Sequence, residues 1–196
     1  MPDCISSDTT FYICVGEDLQ RQEQLCNFLQ CYPFFLGPNI FRELPESLQL
    51  QKEFQNSVNK IDGNFFELLK PFFGRDKKHE TDGEYEAIGI ACNLERKKVL
   101  RFLILDEKRA RNFVNTHFTV LVPKMIRSLG FLKIICCDDK RIKREIVIEI
   151  LESLVQDIKR NESKSGPYMR RPCGMTINNY KNIVVPLLNQ VRSWDN

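Results

Sequence analysis

Residues 99–106, with the sequence VLRFLILD, limit the possible folds of this chain more than any other segment. Their apolar side chains are nearly continuous. This is expected of a parallel strand covered by helices on both faces, whereas a half-exposed strand alternates apolar and polar residues. Shorter strand-like segments lie at residues 3–8 and 33–38, with helical patterns between them. Strands that alternate with helices predict an α/β fold, with a central, mainly parallel sheet in three α/β/α layers.

The rest of the chain extends this pattern. Residues 118–123, FTVLVP, are predicted to form a further strand, and residues 48–61, LQLQKEFQNSVNKI, are predicted to be helical. The character of the sequence changes at the Ser-Lys-Ser-Gly-Pro segment that begins at Ser163. We therefore predict one domain over residues 1–160 and a C-terminal tail or small helical extension over residues 161–196.

Composition restricts location and partners only broadly. The chain has 196 residues, of which 42% are hydrophobic and 28% charged, as is usual for a globular protein. No apolar run approaches the roughly 20 residues that span a bilayer, and the first residues lack the order of a signal peptide, so we expect a cytoplasmic protein with no membrane partner. The eight cysteines lack the paired spacing of a zinc site, and most are expected to be reduced thiols. A net charge of +3 does not select a partner.

Four acids occupy positions where α/β proteins bind ligands. Asp8 ends the first predicted strand and Asp106 ends VLRFLILD, so both belong to the carboxyl edge of the sheet. Glu43 lies in the helix after the second strand, and Glu84 lies in the first turn of a later helix. Gathered carboxylates need a cation, most simply Mg²⁺ or Mn²⁺, which prefer oxygen ligands. Taken singly, each acid is equally typical of a turn cap or a helix start.

Four short motifs, taken together, suggest a family. The segments SSDTT, GPNIFREL, DGEYEAIGIA and LILDEKRARNF resemble, in order and spacing, motifs of the PIN-domain family of metal-dependent nucleases, most closely its prokaryotic branch. The resemblance covers roughly residues 3–155. One departure is Pro123, which stands where many relatives have a Gly-Thr-Leu-Gly-like turn.

The resemblance implies an enzyme, its metal and its partners. It implies a Mg²⁺- or Mn²⁺-dependent endoribonuclease, a hydrolase of RNA phosphodiester bonds, of the kind that serves as the toxin of a toxin–antitoxin pair. Asp8 and Asp106 would be direct metal ligands, and Glu43 and Glu84 would complete the shell directly or through water. The expected partners are RNA and either a cognate antitoxin or a second copy of the chain.

A polyanionic substrate also calls for cations around the acids. Such contacts with phosphates position a strand without selecting its sequence. The predicted nucleic-acid-binding residues are Lys108, Arg109, Arg111, Lys124 and Arg127.

Two other functions are compatible with the sequence. The first is a PIN-like module without catalytic activity that binds RNA or a partner protein, suggested by Pro123 and by the tail. The second is a phospho-accepting α/β regulator or phosphatase, since both place an Asp at a strand end. Phosphatases of that kind usually have Asp-x-Asp after the first strand, and here Thr10 occupies the place of the second Asp.

Overall fold

A five-stranded parallel sheet organises the protein. The computed structural model describes residues 3–73, 79, 82–162 and 177–194, with 157–162 and 177–181 described by their backbone alone. The strand order is β3-β2-β1-β4-β5, and every pairing is parallel. The strands are β1 (Cys4–Ser7), β2 (Phe34–Leu36), β3 (Val58–Lys60), β4 (Leu100–Ile104) and β5 (Met125–Ile126).

Helices occupy most of the chain between the strands. Those before β4 are α1 (Thr9–Ile13), α2 (Gln22–Gln30), α3 (Pro38–Glu43), α4 (Glu46–Gln49), α5 (Lys52–Ser57), α6 (Lys70–Phe73) and α7 (Gly83–Arg96). Those after it are α8 (Lys108–His117), α9 (Ser128–Lys133), α10 (Arg144–Glu162) and α11 (Ile177–Arg192). The predicted three-layer α/β/α class with a parallel sheet is confirmed.

Alternation along β1 separates the two faces of the sheet. The Ser6 hydroxyl donates a hydrogen bond to the carbonyl oxygen of Ala87 at 2.7 Å, so this face packs against α7. Ile5 points to the other face, together with its β2 neighbour Phe34. There the ring of Phe34 lies 5.8 Å from that of Phe11 and 5.7 Å from that of Phe131. The aromatic cluster covers one face of the central strands and α7 covers the other, which explains why these strands are apolar.

Two predicted elements are wrong. Residues 118–123 do not form a strand, because Thr119–Lys124 is a 3₁₀ helix and the strand begins only at Met125. Pro123 has no N–H to donate to a sheet, which explains why the strand begins only after this residue. The segment predicted to be helical over residues 48–61 ends in a strand, Val58–Lys60, which pairs with β2. This pairing depends on the free edge of β2, which the local sequence pattern of residues 48–61 does not show.

The C-terminal helix packs against the main domain. Val184 and Val191 of α11 are fully buried and belong to the same hydrophobic cluster as the strands. An arginine at the start of α10, Arg144, donates a hydrogen bond to the backbone oxygen of Trp194 beyond the end of α11. Residues 163–176, inside the predicted extension, lie outside the described residues.

Two further expectations concern cysteines and membranes. Of the seven cysteines that the structure describes, six are free thiols, as expected, and Cys14 is disulfide-bonded. Across the described part of the chain, no helix is both long and apolar enough to cross a membrane.

Candidate functional site

Asp8 lies at the carboxyl end of the central strand and is fully buried. It is the N-cap of α1, where its Oδ1 accepts a hydrogen bond from the backbone N–H of Thr10 at 3.1 Å. Its Oδ2 accepts a second hydrogen bond, from the backbone N–H of Asp106 at 3.0 Å. Asp8 is therefore both a helix cap and a direct link between the ends of β1 and β4.

Asp106 follows β4 and is held from the other side by the start of α9. Its Oδ1 accepts a hydrogen bond from the backbone N–H of Ser128 at 3.1 Å, and its Oδ2 accepts one from the Ser128 hydroxyl. Asp106 is not the N-cap of α8, because the residue in that position is Glu107, which makes no side-chain capping bond. The side chain of Asp106 thus remains at the sheet edge, next to Asp8.

Glu43, the last residue of α3, connects two other elements. Its carboxylate accepts a hydrogen bond from the Thr9 hydroxyl and another, at 2.8 Å, from the backbone N–H of Gly83. Gly83 permits this approach, because an added Cβ would lie 2.7 Å from Thr9 Oγ1 and against the Glu43 carboxylate. Glu84 follows Gly83 in the first turn of α7, and its charge acts on Asp8.

The carboxylates form a row in which each affects the next. Burial raises the pKa of Asp8 well above its ordinary value, and the charges of Asp106 and Glu84 raise it further. Burial also raises the pKa of Glu84, with Glu43 the largest of the charges that add to this effect. Asp106 and Glu84 are therefore electrostatic neighbours of Asp8, and Glu43 is one of Glu84.

Two of the five predicted cations lie beside these acids. Burial raises the pKa of Asp106, but the hydrogen bonds from Ser128 oppose this effect, and so do the positive charges of Arg127 and Arg111. Arg111 belongs to the second turn of α8, and Arg127 directly precedes α9. Both side chains are half-buried.

The other three cations have different surroundings. Lys108 is exposed in the first turn of α8. Arg109 donates to Nε2 of the buried His79 at 2.5 Å, and Nδ1 of that ring lies 2.7 Å from Asp82. Lys124 donates to Glu95 and to the backbone oxygen of Leu100, the first residue of β4, at 2.9 Å. Lys124 therefore lies toward the amino end of the sheet, away from the acids.

The site meets some requirements of a metal centre but not all. In residues 3–73, 79, 82–162 and 177–194, no three His, Cys, Asp or Glu side chains are arranged to hold a metal ion. The structure brings the four acids into a row, but it does not bring three of them around one point. Mg²⁺ sites commonly use one or two carboxylates and are completed by water and substrate phosphates. The oxygen-only donors Asp8 and Asp106 fit such a site.

One important acid was not predicted from the sequence. Glu86 of α7 is 1% exposed, and its Oε2 accepts a hydrogen bond from the backbone N–H of Ile40 at 2.8 Å. It therefore caps α3, whose own N-cap residue, Gly37, has no side chain to do so. The lack of Ser, Thr, Asp or Asn at this helix start was the available signal that an acid elsewhere in the chain supplies the cap.

Two sizeable clefts lie away from the acids. One, of about 620 Å³, is lined by residues around the start of α2, including Arg21. Another, of about 630 Å³, lies between α2 and the segment before α10 and includes Arg141. None of the four acids lines either cleft. The candidate site is therefore defined by its charges and hydrogen bonds and not by either of these clefts.

Fold and site together define an α/β protein with a parallel sheet and a row of carboxylates at its carboxyl edge. No protein-family model, no curated protein and no solved structure matches this chain. The resemblance to PIN domains therefore stays a prediction from the sequence motifs.

Proposed function

We propose that this chain is a Mg²⁺- or Mn²⁺-dependent endoribonuclease. The observation that carries the proposal is the hydrogen bond from the backbone N–H of Asp106 to the fully buried carboxylate of Asp8, which joins a buried acid and a half-buried acid at the ends of the two central strands. Two buried groups of the same charge are unfavourable unless a cation or a proton is added. A divalent cation would balance the charges of both carboxylates.

The protein does not neutralise these acids with direct ion pairs. Among the described residues, none of Asp8, Glu43, Glu84 and Asp106 forms an ion pair, although Arg111 and Arg127 act on Asp106 from a distance. Structural carboxylates that are buried are usually paired. A row of unpaired acids at a strand edge is therefore more typical of a ligand site than of a stabilising network.

The side chains would have different tasks in this enzyme. Asp8 and Asp106 would hold the divalent ion, which supplies Lewis acidity and an activated water for hydrolysis of a phosphodiester bond. Glu43 would act by position, because its carboxylate ties Thr9 to the amide of Gly83 and so fixes the end of β1 against the start of α7. Glu84 would add negative charge beside Asp8 and hold water at the ion.

Cleavage of RNA provides the direct test. A fluorophore-labelled single-stranded RNA would be incubated with Mn²⁺ or Mg²⁺ in separate reactions, each containing one protein. The proteins are the unmodified chain, Asp8→Asn and Asp106→Asn. We expect activity that requires the metal and falls at least about a hundredfold in both variants. Asp62→Asn, which changes an exposed acid outside the row, serves as the matched control. Equal activity in all four proteins would refute the proposal.

A second function is favoured by the hydrogen bonds within the site. Both carboxylate oxygens of Asp8, of Asp106 and of Glu43 already accept a hydrogen bond from the protein. This arrangement also suits a PIN-like module without catalysis that binds RNA or a partner protein. Calorimetric titration with Mn²⁺ separates the two functions, because RNA binding without metal binding would support the module.

The biological partners follow from the resemblance to PIN domains and are likewise proposals. As a toxin, the chain would arrest growth when expressed in bacteria, and a cognate antitoxin would reverse the arrest. Growth arrest by the chain but not by Asp8→Asn is the expected result. Equal growth with both proteins would remove the toxin role without affecting the test of RNA cleavage.

A further inference from the structure

The charges of Arg111 and Arg127 both act on Asp106 although the two residues come from different elements. Arg111 is one turn beyond Glu107, with its backbone N–H bonded to the carbonyl oxygen of that residue at 3.1 Å. Arg127 precedes Ser128, whose N–H and hydroxyl both donate to Asp106. The residue next to Arg127 is therefore bonded to Asp106, and the charges of both arginines act on this carboxylate.

The two guanidinium groups have unused hydrogen-bonding capacity. Nε of Arg111 is excluded from solvent and has no hydrogen-bond partner. Among the described residues, neither arginine forms an ion pair or a side-chain hydrogen bond. A buried donor without an acceptor is costly and rare in native proteins, so it needs an explanation.

The charges of the pair are also incompletely balanced. Burial lowers the pKa of Arg111, the charge of Arg127 lowers it further, and Asp106 raises it. Two positive groups that disfavour each other therefore share one neighbouring carboxylate.

We propose that Arg111 and Arg127 together bind one phosphate group of an RNA strand beside Asp106. This inference rests on the proposed function for its choice of RNA. Guanidinium groups offer planar forks of N–H donors that match phosphate oxygens, and a phosphate would supply the acceptor that Arg111 Nε lacks. The pair would position the strand against the acids, whereas Lys108 is an exposed point charge and Lys124 lies toward the other end of β4.

Binding without cleavage tests this role. The full chain would be titrated with a fluorescein-labelled single-stranded RNA of about ten nucleotides in EDTA, with fluorescence anisotropy as the readout. We expect Arg111→Gln and Arg127→Gln each to weaken binding roughly tenfold and to reduce the salt dependence by about one phosphate contact. The double variant should be little weaker than either single variant, because both side chains hold the same phosphate.

Matched variants separate a phosphate site from a general effect of charge. Lys124→Gln also removes one positive charge and is expected to leave the affinity within about twofold of the unmodified chain. Arg111→Lys keeps the charge but loses the fork, and should recover only part of the lost affinity. Equal affinity of Arg111→Gln, Arg127→Gln and Lys124→Gln would overturn the proposal.

A purely structural role has a different signature. If the arginines only stabilise Asp106, their replacement lowers the midpoint of urea unfolding and leaves RNA affinity unchanged, which also refutes the proposal. Should Arg111→Gln fail to fold, Arg127→Gln and Arg111→Lys still report on the site. Because metal is absent, loss of binding in these variants is distinguishable from failure of the cleavage test. An inactive chain that still binds RNA through this pair would sustain the inference while refuting the enzyme.

Discussion

The buried carboxyl group of Asp8 should make this protein more stable as the pH falls below neutrality. Burial and the charge of Asp106 raise its pKa in the folded state, whereas the unfolded chain titrates near 3.9. The native state therefore binds this proton more tightly than the unfolded state. Stability rises as the pH falls through the raised pKa, and the gain is complete below the unfolded value.

The size of the effect follows from proton linkage. Each additional proton bound by the native state changes the free energy of unfolding by about 1.4 kcal/mol per pH unit. Asp8 provides up to one such proton, and Glu84, whose pKa is also raised by burial, steepens the dependence. In Asp8→Asn the slope should fall by up to about 1.4 kcal/mol per pH unit.

Asp8→Asn also changes a hydrogen bond, so the slope and not the absolute stability is diagnostic. An asparagine has one acceptor oxygen, and the amide NH₂ would face either the N–H of Thr10 or that of Asp106. This mismatch costs about 1–3 kcal/mol at every pH. Relief of charge burial opposes that cost near neutrality and disappears at lower pH.

Urea unfolding in EDTA between roughly pH 7.5 and 5.5 measures the effect above the usual carboxyl range. The unmodified chain and the exposed-acid control Asp62→Asn should both gain stability as the pH falls. Asp8→Asn should show a markedly smaller gain. Two results would refute the raised pKa of Asp8. One is a free energy of unfolding that stays constant or decreases as the pH is lowered in the unmodified chain, and the other is an identical pH slope in all three proteins. Mn²⁺ should flatten the profile of the unmodified chain if it binds the ionised carboxylate.

Three further predictions concern the groups around this site. Glu86→Ala removes the cap of α3 and should lower the free energy of unfolding by about 2 kcal/mol, measured in urea; a loss under about 0.5 kcal/mol would contradict the capping role. Gly83→Ala should lower the free energy of unfolding by about 1–3 kcal/mol, because its Cβ would clash with the Glu43 carboxylate. Gly130→Ala places its Cβ where no atom lies within 4 Å, so it should stabilise α9 by about 0.5–1 kcal/mol. Equal effects of the two alanines in thermal melts would exclude that clash. Ser128→Ala removes a hydrogen bond that lowers the pKa of Asp106, so Mn²⁺ binding followed by calorimetry should shift to higher pH, and an unchanged pH profile would show that this carboxyl does not limit binding.

The sequence alone determined the sheet and part of the site. A strand covered on both faces must be apolar along its length, so the VLRFLILD segment revealed a parallel α/β fold without any tertiary information. Parallel strands place their carboxyl ends at one edge, so Asp8 and Asp106 were expected together, and the hydrogen bond between them has that origin. Both inferences depend on local sequence and on a general rule of topology.

The tertiary structure decided what depends on contacts between distant residues. Glu86 caps α3 by accepting from the amide of Ile40, which lies 46 residues earlier in the sequence. Val58 belongs to a strand because it pairs with the open edge of β2. Arg127 and Lys124 lie three positions apart, yet β5 carries them toward opposite ends of the sheet. Local propensities are small compared with the free energy of burial and of satisfied hydrogen bonds, so long-range packing fixed these roles.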